Sequence, residues 1–319
     1  MRMFSRLGVS SLLLVASLAS LPAMAQTWPQ RAVRVIVPLP PGTGADLAAR
    51  MMAEPLSHHW GRPVVIENRQ GGDGIPAVQA LLGARDNHTL LMSFAGIVTM
   101  NPLIHERLPY NPRNLVPIVP VLDTFLGVSA SATLKAENLA DLVKIAKSQP
   151  GKLNWAATPG LPYYAVLALM KNAGIDMLQV SYRDFVPAMQ DLNHGRLHLA
   201  STGVPFLLPH HRAEKSRLMF VTNTKRSPQA PEVPTAREAG YPGSTFDGII
   251  GIYGGRDMPS EIRTRISDGV QVVTADAGFR AKVAASGSVA RSGSSAEFTA
   301  AIEEQRSKVA DIHKTFRKR

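Results

Sequence analysis

The sequence predicts an α/β protein with mostly parallel sheets, and three observations carry that prediction. Short, mostly continuous apolar runs recur along the chain, from VRVIVP (33–38) to FDGIIGIYG (246–254). Such continuous runs suit strands covered on both faces. Helical patterns alternate with them, and permissive Gly- and Pro-rich loops sit at the strand-to-helix joints.

Taken in order, the strands are expected at 33–38, 63–67, 88–93, 117–122, 126–130, 153–157, 178–182, 197–201, 218–222 and 246–254. A helix is expected over 45–59, with a kink or early end at Pro55, because an interior proline costs about 3 kcal/mol. ENLADLVKIAKSQPG (137–151) places Leu139, Leu142, Val143 and Ala146 on one helical face and stops at Pro150-Gly151. The C-terminal helix opens with Ser294-x-x-Glu297, a capping-box pattern, and carries Phe298, Ile302, Val309, Ile312 and Phe316 along one stripe.

The first 25 residues read as a targeting segment rather than as fold. MRMFSR is basic, SLLLVASLASL is apolar but short for a bilayer span, and Ala23-Met24-Ala25 matches a signal-peptide cleavage site. Cleavage after Ala25 implies an exported mature protein starting near Gln26. The chain has 319 residues, 45% of them hydrophobic, which suggests two domains, or one large one, with ample material for a core. Absence of cysteine excludes disulfide frameworks, thiolate zinc sites and cysteine nucleophiles. The net charge of +11 falls to +9 without Arg2 and Arg6. Its basic residues are scattered apart from a terminal FRKR, so the charge reads as a bias toward small acids or an anionic surface rather than nucleic-acid binding.

Four loops could carry chemistry. In PLPPGTGAD (38–46), Gly42 and Gly44 bare the backbone just before a helix, whose free amides and positive dipole end suit a carboxylate or phosphate. Asp46 opposes an anionic guest unless it serves as a cap. The other loops are 67–84, 93–103 and 156–169, the first of which reads chiefly as packing. Nucleotide signatures, a GxSxG elbow and HExxH are absent, so an exported enzyme acting on a small acid lacks an identifiable nucleophile or metal set. The adjacent pairs His58-His59 and His210-His211 do not face one metal. No cofactor is expected. Asp184, beside Arg183, could reach a ligand or form an ordinary loop ion pair.

The segments WPQRAVRVIVPLPPGTGADLAAR, GRPVVIENRQGGDG, NPLIHERLPYNP, SQPGKLNWAA and TKRSPQAPEVPTAREAGYPG, in this order, resemble the substrate-binding proteins of tripartite tricarboxylate transporters, the Bug (TctC) family. The resemblance implies a two-lobed, type II-like periplasmic binding protein fold with two crossover strands near 123–128 and 222–226. Lobe one would be 26–125 plus 224–319, and lobe two 126–223. It implies a monomer that closes on a small organic acid and presents it to a membrane transporter, with presentation to a membrane sensor as the alternative.

The resemblance also implies the ligand contacts. They are Gly42, Thr43, Gly44 and Ala45 in the first loop, and Phe94, Ala95 and Gly96 after 88–93. On the second lobe they are Thr158, Gly160, Tyr163 and Tyr164, then Ser201 and Thr202. Two departures stand out: Tyr163 lies near a position where the family often has histidine, and Ser201-Thr202 stands where it often has aspartate. A ligand larger or more aromatic than a simple dicarboxylate would suit the tyrosines, unless they pack inside the lobe.

Overall fold

The computed structural model describes residues 28–316; the expected leader, its cleavage site and the last three residues of the basic tail lie outside the described residues. In chain order, β1 (Val33–Val37), α1 (Gly44–Trp60), β2 (Val64–Asn68), α2 (Ile75–Ala84) and β3 (Thr89–Phe94) lead to the short α3 (Gly96–Thr99) and α4 (Asn101–Ile104), then β4 (Leu115–Thr124). A single residue, Phe125, separates β4 from β5 (Leu126–Ser131). The second part continues with α5 (Leu139–Ser148), β6 (Asn154–Ala157), α6 (Leu161–Ala173), β7 (Leu178–Gln179), α7 (Phe185–Asn193), β8 (Leu199–Gly203), α8 (Val204–Arg212) and β9 (Ser216–Val221). Then come β10 (Gly248–Gly255), α9 (Ser260–Ala275), α10 (Ala277–Ala285), β11 (Ser288–Ala290) and α11 (Ser295–Phe316).

The strands form two sheets, ordered β11-β4-β10-β3-β1-β2 and β7-β6-β8-β5-β9. They are mixed, which corrects the expectation of mostly parallel sheets: four of the nine pairings are parallel. The reason is directional. β4 leaves the first sheet as β10 enters it, and β5 enters the second as β9 leaves it, so each crossover couple must be antiparallel. Only β3-β1-β2 and β7-β6-β8 keep the parallel order of βαβ units.

Both faces of the first sheet are covered. Val33, Val35 and Val37 of β1 pack with α1 and α9 residues such as Met52 and Ile266, whereas Ile36 packs on the other side with Val78 and Phe298. This alternation, with both sides apolar, explains the continuous hydrophobic runs. The second sheet sits between a core containing Trp155, Leu142 and Leu169 and another containing Ala200, Met189 and Leu207.

The stretch after β9 stays packed on the second sheet. Ala230 and Val233 are buried in one core of the second sheet, and Ala236 and Phe246 in the other. Apolar burial holds this segment on the second sheet until the chain re-enters the first at Gly248. Asn223 ties the crossing, donating to the Thr124 carbonyl at 2.9 Å and accepting from the Leu126 amide at 3.3 Å.

Helix ends follow their local chemistry. The Ser294–Glu297 box forms reciprocally: Glu297 N donates to Ser294 Oγ at 3.1 Å, and Ser294 N donates to Glu297 Oε2 at 2.7 Å. Pro55 does not end α1, which runs on to Trp60 and stops at Gly61 in the left-handed region (φ 65°). Burial of Met52 and Leu56 on either side of the proline offsets its lost hydrogen bond.

Candidate ligand-binding site

Strand register shows where the functional loops converge. Phe94, the last residue of β3, precedes a loop beside the start of β10, since Phe94 pairs with Ile250. β1 runs parallel to β3 and ends at the same edge. In the second sheet, Gly203 at the end of β8 pairs with Leu126 at the start of β5, and β6 runs parallel to β8. The carboxyl ends of β1, β3, β6 and β8 therefore all open toward the crossover between the sheets, the edge where α/β proteins bind ligands.

The first loop is not covered by its own lobe. Pro40, Pro41 and Gly42 are exposed, and Thr43 and Gly44 are half-buried. Gly42 has φ 84°, a left-handed conformation that suits glycine. The Thr43 hydroxyl donates to the Pro40 carbonyl at 2.9 Å and does not cap the helix. The first-turn amides of Gly44, Ala45 and Asp46 lack intrahelical acceptors by helix geometry, and the dipole adds about half a positive charge there.

Asp46 is drawn away from this opening. Its carboxylate, 1% exposed, accepts from the Gly42 amide at 2.9 Å, Asn68 Nδ2 at 2.8 Å and Arg50 Nε at 3.0 Å. Burial acts to raise its pKa, but the hydrogen bonds from Arg50, Asn68 and Gly42, with the Arg50 charge, outweigh this and hold it below the usual carboxylate range. The acid is thus neutralised from behind, and the guest-repelling role is removed.

The other candidates divide into free and committed groups. Phe94 is half-buried and packs beside the core that holds β1. Ala95 is committed: its amide donates to the Ile249 carbonyl at 3.4 Å and its own carbonyl accepts from Val98 and Thr99. Thr158 and Thr202 meet, their hydroxyls 3.2 Å apart, and the Thr158 amide donates to the Ser201 carbonyl at 3.1 Å. The Ser201 hydroxyl is spent on the Gly127 carbonyl at 3.0 Å and is fully buried. Gly160 adopts φ 96°, ψ −144°, a conformation essentially reserved for glycine.

The two tyrosines separate. Tyr164 is 2% exposed, and its hydroxyl lies 3.0 Å from His313 Nδ1, so it packs inside the lobe. Tyr163 is half-buried, its ring 5.4 Å from that of Trp155 and 5.6 Å from that of Tyr164. Burial pushes the pKa of both phenols up, that of Tyr164 to about 12. Asp184 is exposed and caps α7 by accepting from the Val186 amide at 3.0 Å, which is the structural alternative for that residue.

Met100 was not singled out by sequence reasoning, although it lies in the 93–103 loop. Its methyl carbon sits between Gly96 of the first lobe and Gly160 of the second, 3.6 Å from where a Gly160 Cβ would stand. Elsewhere, a cavity of about 570 Å³ lined by Pro55, His59 and Phe279 among others lies on the first lobe, and none of the candidate residues lines it. Among the described residues no cluster of three or more His, Asp or Glu side chains could hold a metal, and no helix is long and apolar enough to cross a membrane.

Two mixed sheets joined by paired crossings, with four strand-end loops facing across the joint, define a two-lobed solute-binding fold. The chain belongs to the tripartite tricarboxylate transporter receptor family, whose model matches residues 48–317. Its relatives include protein BugT of Bordetella pertussis, 30% identical over 76% of each chain, and a UPF0065 protein of Bordetella bronchiseptica, 29% identical over 89% of this chain and 85% of that one. Among solved structures, Rpa4515 of R. palustris with adipate superimposes with a TM-score of 0.76 at 27% identity, covering 90% of this chain and 98% of the other. Proteins of this family are periplasmic solute-binding proteins rather than enzymes.

Proposed function

We propose that this protein is exported after cleavage at Ala25, captures a small carboxylate between its lobes, and delivers it as a monomer to a tripartite tricarboxylate-type transporter. The observation that carries the reading is the mouth of α1. Its first-turn amides are unclaimed, it opens at the edge where both sheets' loops converge, and its one acidic neighbour is held back by Arg50 and Asn68. Thr158, Thr202 and the half-buried Tyr163 provide polar and flat apolar surface on the opposing lobe. Lobe one comprises 28–124 and 248 to about 302, and lobe two 126–246, with the hinge at Phe125 and Asp247 and the end of α11 from Val309 packed on lobe two. A ligand touching both lobes shifts their equilibrium by its differential affinity for the closed state.

The adipate of the R. palustris relative supports a linear acid as the first choice. With Tyr164 committed to the core, only Tyr163 supports an aromatic one. Thermal-shift and calorimetric titration with succinate, malate, adipate and benzoate tests the reading. An acid at a hundredfold its Kd adds about 2.7 kcal/mol of stability. Binding that survives Gly44→Pro unchanged, or no binding by any acid of the panel, refutes the amide clasp.

A further inference from the structure

Met100 belongs to the first lobe by sequence, between α3 and α4, yet it is 8% exposed and shares a buried cluster with Trp155, Leu161 and Tyr164 of the second. Two glycines make its position possible. A Cβ at Gly96 would collide with the Met100 methyl carbon, and Gly160 presents bare backbone to the same carbon from across the joint. Because Gly160 has φ 96°, the second lobe cannot easily substitute a side chain there. The joint between two of the candidate ligand loops is therefore filled by one unbranched, adaptable side chain.

We propose that Met100 is a specificity-determining residue that closes the far end of the acid-binding cleft and sets the length of acid the cleft accepts. This rests on the acid-binding reading above. The first loop and the Gly96 turn are neighbours, since a Cβ at Gly74 would meet Pro38 at 3.4 Å and Ile97 at 3.3 Å. On this reading an acid anchored at the α1 amides runs its tail toward the Gly96–Gly160 joint, where the Met100 methyl stops it. A longer acid must displace that methyl, which a thioether side chain with three rotatable bonds allows at a cost.

The alternative is that Met100 only glues the lobes together. Its truncation would then weaken every acid by a similar factor, alongside a fall in thermal stability. The discriminating quantity is thus a ratio of affinities rather than any single affinity. The test titrates succinate, adipate and suberate calorimetrically into the full mature chain as wild type, Met100→Ala, Met100→Val and Met100→Leu. Room for two more methylenes corresponds to about a tenfold change in relative affinity.

We expect Met100→Ala to raise the suberate-to-succinate affinity ratio about tenfold, Met100→Val to raise it less, and Met100→Leu to stay within about twofold of wild type. Should Met100→Ala fail to fold, the Val and Leu variants carry the comparison. Ratios constant within about twofold across all folded variants of an acid-binding protein overturn the proposal for Met100 alone. A wild type that binds none of the acids overturns the acid-binding reading, and the role of Met100 falls with it.

Discussion

The hydroxyl of Tyr164 lies 3.0 Å from Nδ1 of His313, joining α6 of the second lobe to the C-terminal helix. That helix spans both lobes: Phe298 and Ile302 are buried against the first, and Val309 and Ile312 against the second. Its ion pair Lys171–Asp311, at 2.6 Å, joins side chains 30% and 70% exposed and contributes little in water. Apolar burial and the Tyr164 bond hold the far end of α11.

Tyr164→Phe should therefore cost about 1 kcal/mol of stability. Urea denaturation checks this, and acid affinity should stay within about twofold of wild type. An affinity loss with unchanged stability would instead make the phenol a ligand contact.

Asp46→Ala should destabilise the protein by about 1–3 kcal/mol, because the Gly42 amide, Asn68 and Arg50 lose a shared acceptor. The native pKa of Asp46 is depressed, so its contribution is complete above its ordinary value of 3.8 and disappears as the pH falls through the lower native value. Denaturation curves of wild type and Asp46→Asn should converge at the acid end and separate above it.

Asn223→Ala should cost about 1–3 kcal/mol by leaving the Thr124 carbonyl and Leu126 amide unpaired at the crossing. Amide hydrogen exchange at Leu126 should accelerate more than at the centres of β1 or β8. Equal acceleration everywhere would show that Asn223 acts on global stability only.

His88 predicts a second pH dependence. It is 8% exposed, and the Gln30 amide donates to its Nε2 at 3.2 Å, which requires that nitrogen to be unprotonated. Burial, then the Arg31 charge, lowers its pKa below the ordinary 6.5. Between the two values the unfolded chain binds more protons, so stability falls as the pH drops below 6.5. His88→Gln should flatten that slope in thermal melts, leaving the residual part to His198 and His210, whose pKa values burial also lowers.

Much of the fold was legible because its signals are local. The run of β1 betrays itself by β-branched composition, that of β3 by its apolar Leu-Leu-Met stretch, and α5 by a Leu139–Leu142–Val143–Ala146 face that is buried as expected. Ser294 and Glu297 announce the start of α11 three residues apart. By contrast, β11 is three residues long and pairs only at a sheet edge, and β7 shrinks to two residues, so neither has a pattern long enough to read correctly.

The candidate site was half legible. A glycine pair before a helix suggests free amides, but only Gly44 keeps one at the helix mouth, because the Gly42 amide is taken by Asp46. Whether Asp46 spoils that clasp depends on Asn68, which is 22 residues away, and on how Arg50 folds over α1. Tyr163 and Tyr164 are neighbours with the same chemistry, and only His313, 149 residues beyond Tyr164, separates their fates.

By itself the sequence determined the alternation of strands and helices, the capped C-terminal helix and the amides at the mouth of α1, because each depends on residues within about one or two helical turns of one another. Tertiary structure decided the mixed direction of the sheets, the attachment of 227–246 to the second lobe, and the insertion of Met100 between Gly96 and Gly160. Those outcomes depend on which distant surfaces exclude water together, and no short-range pattern along the chain encodes that choice.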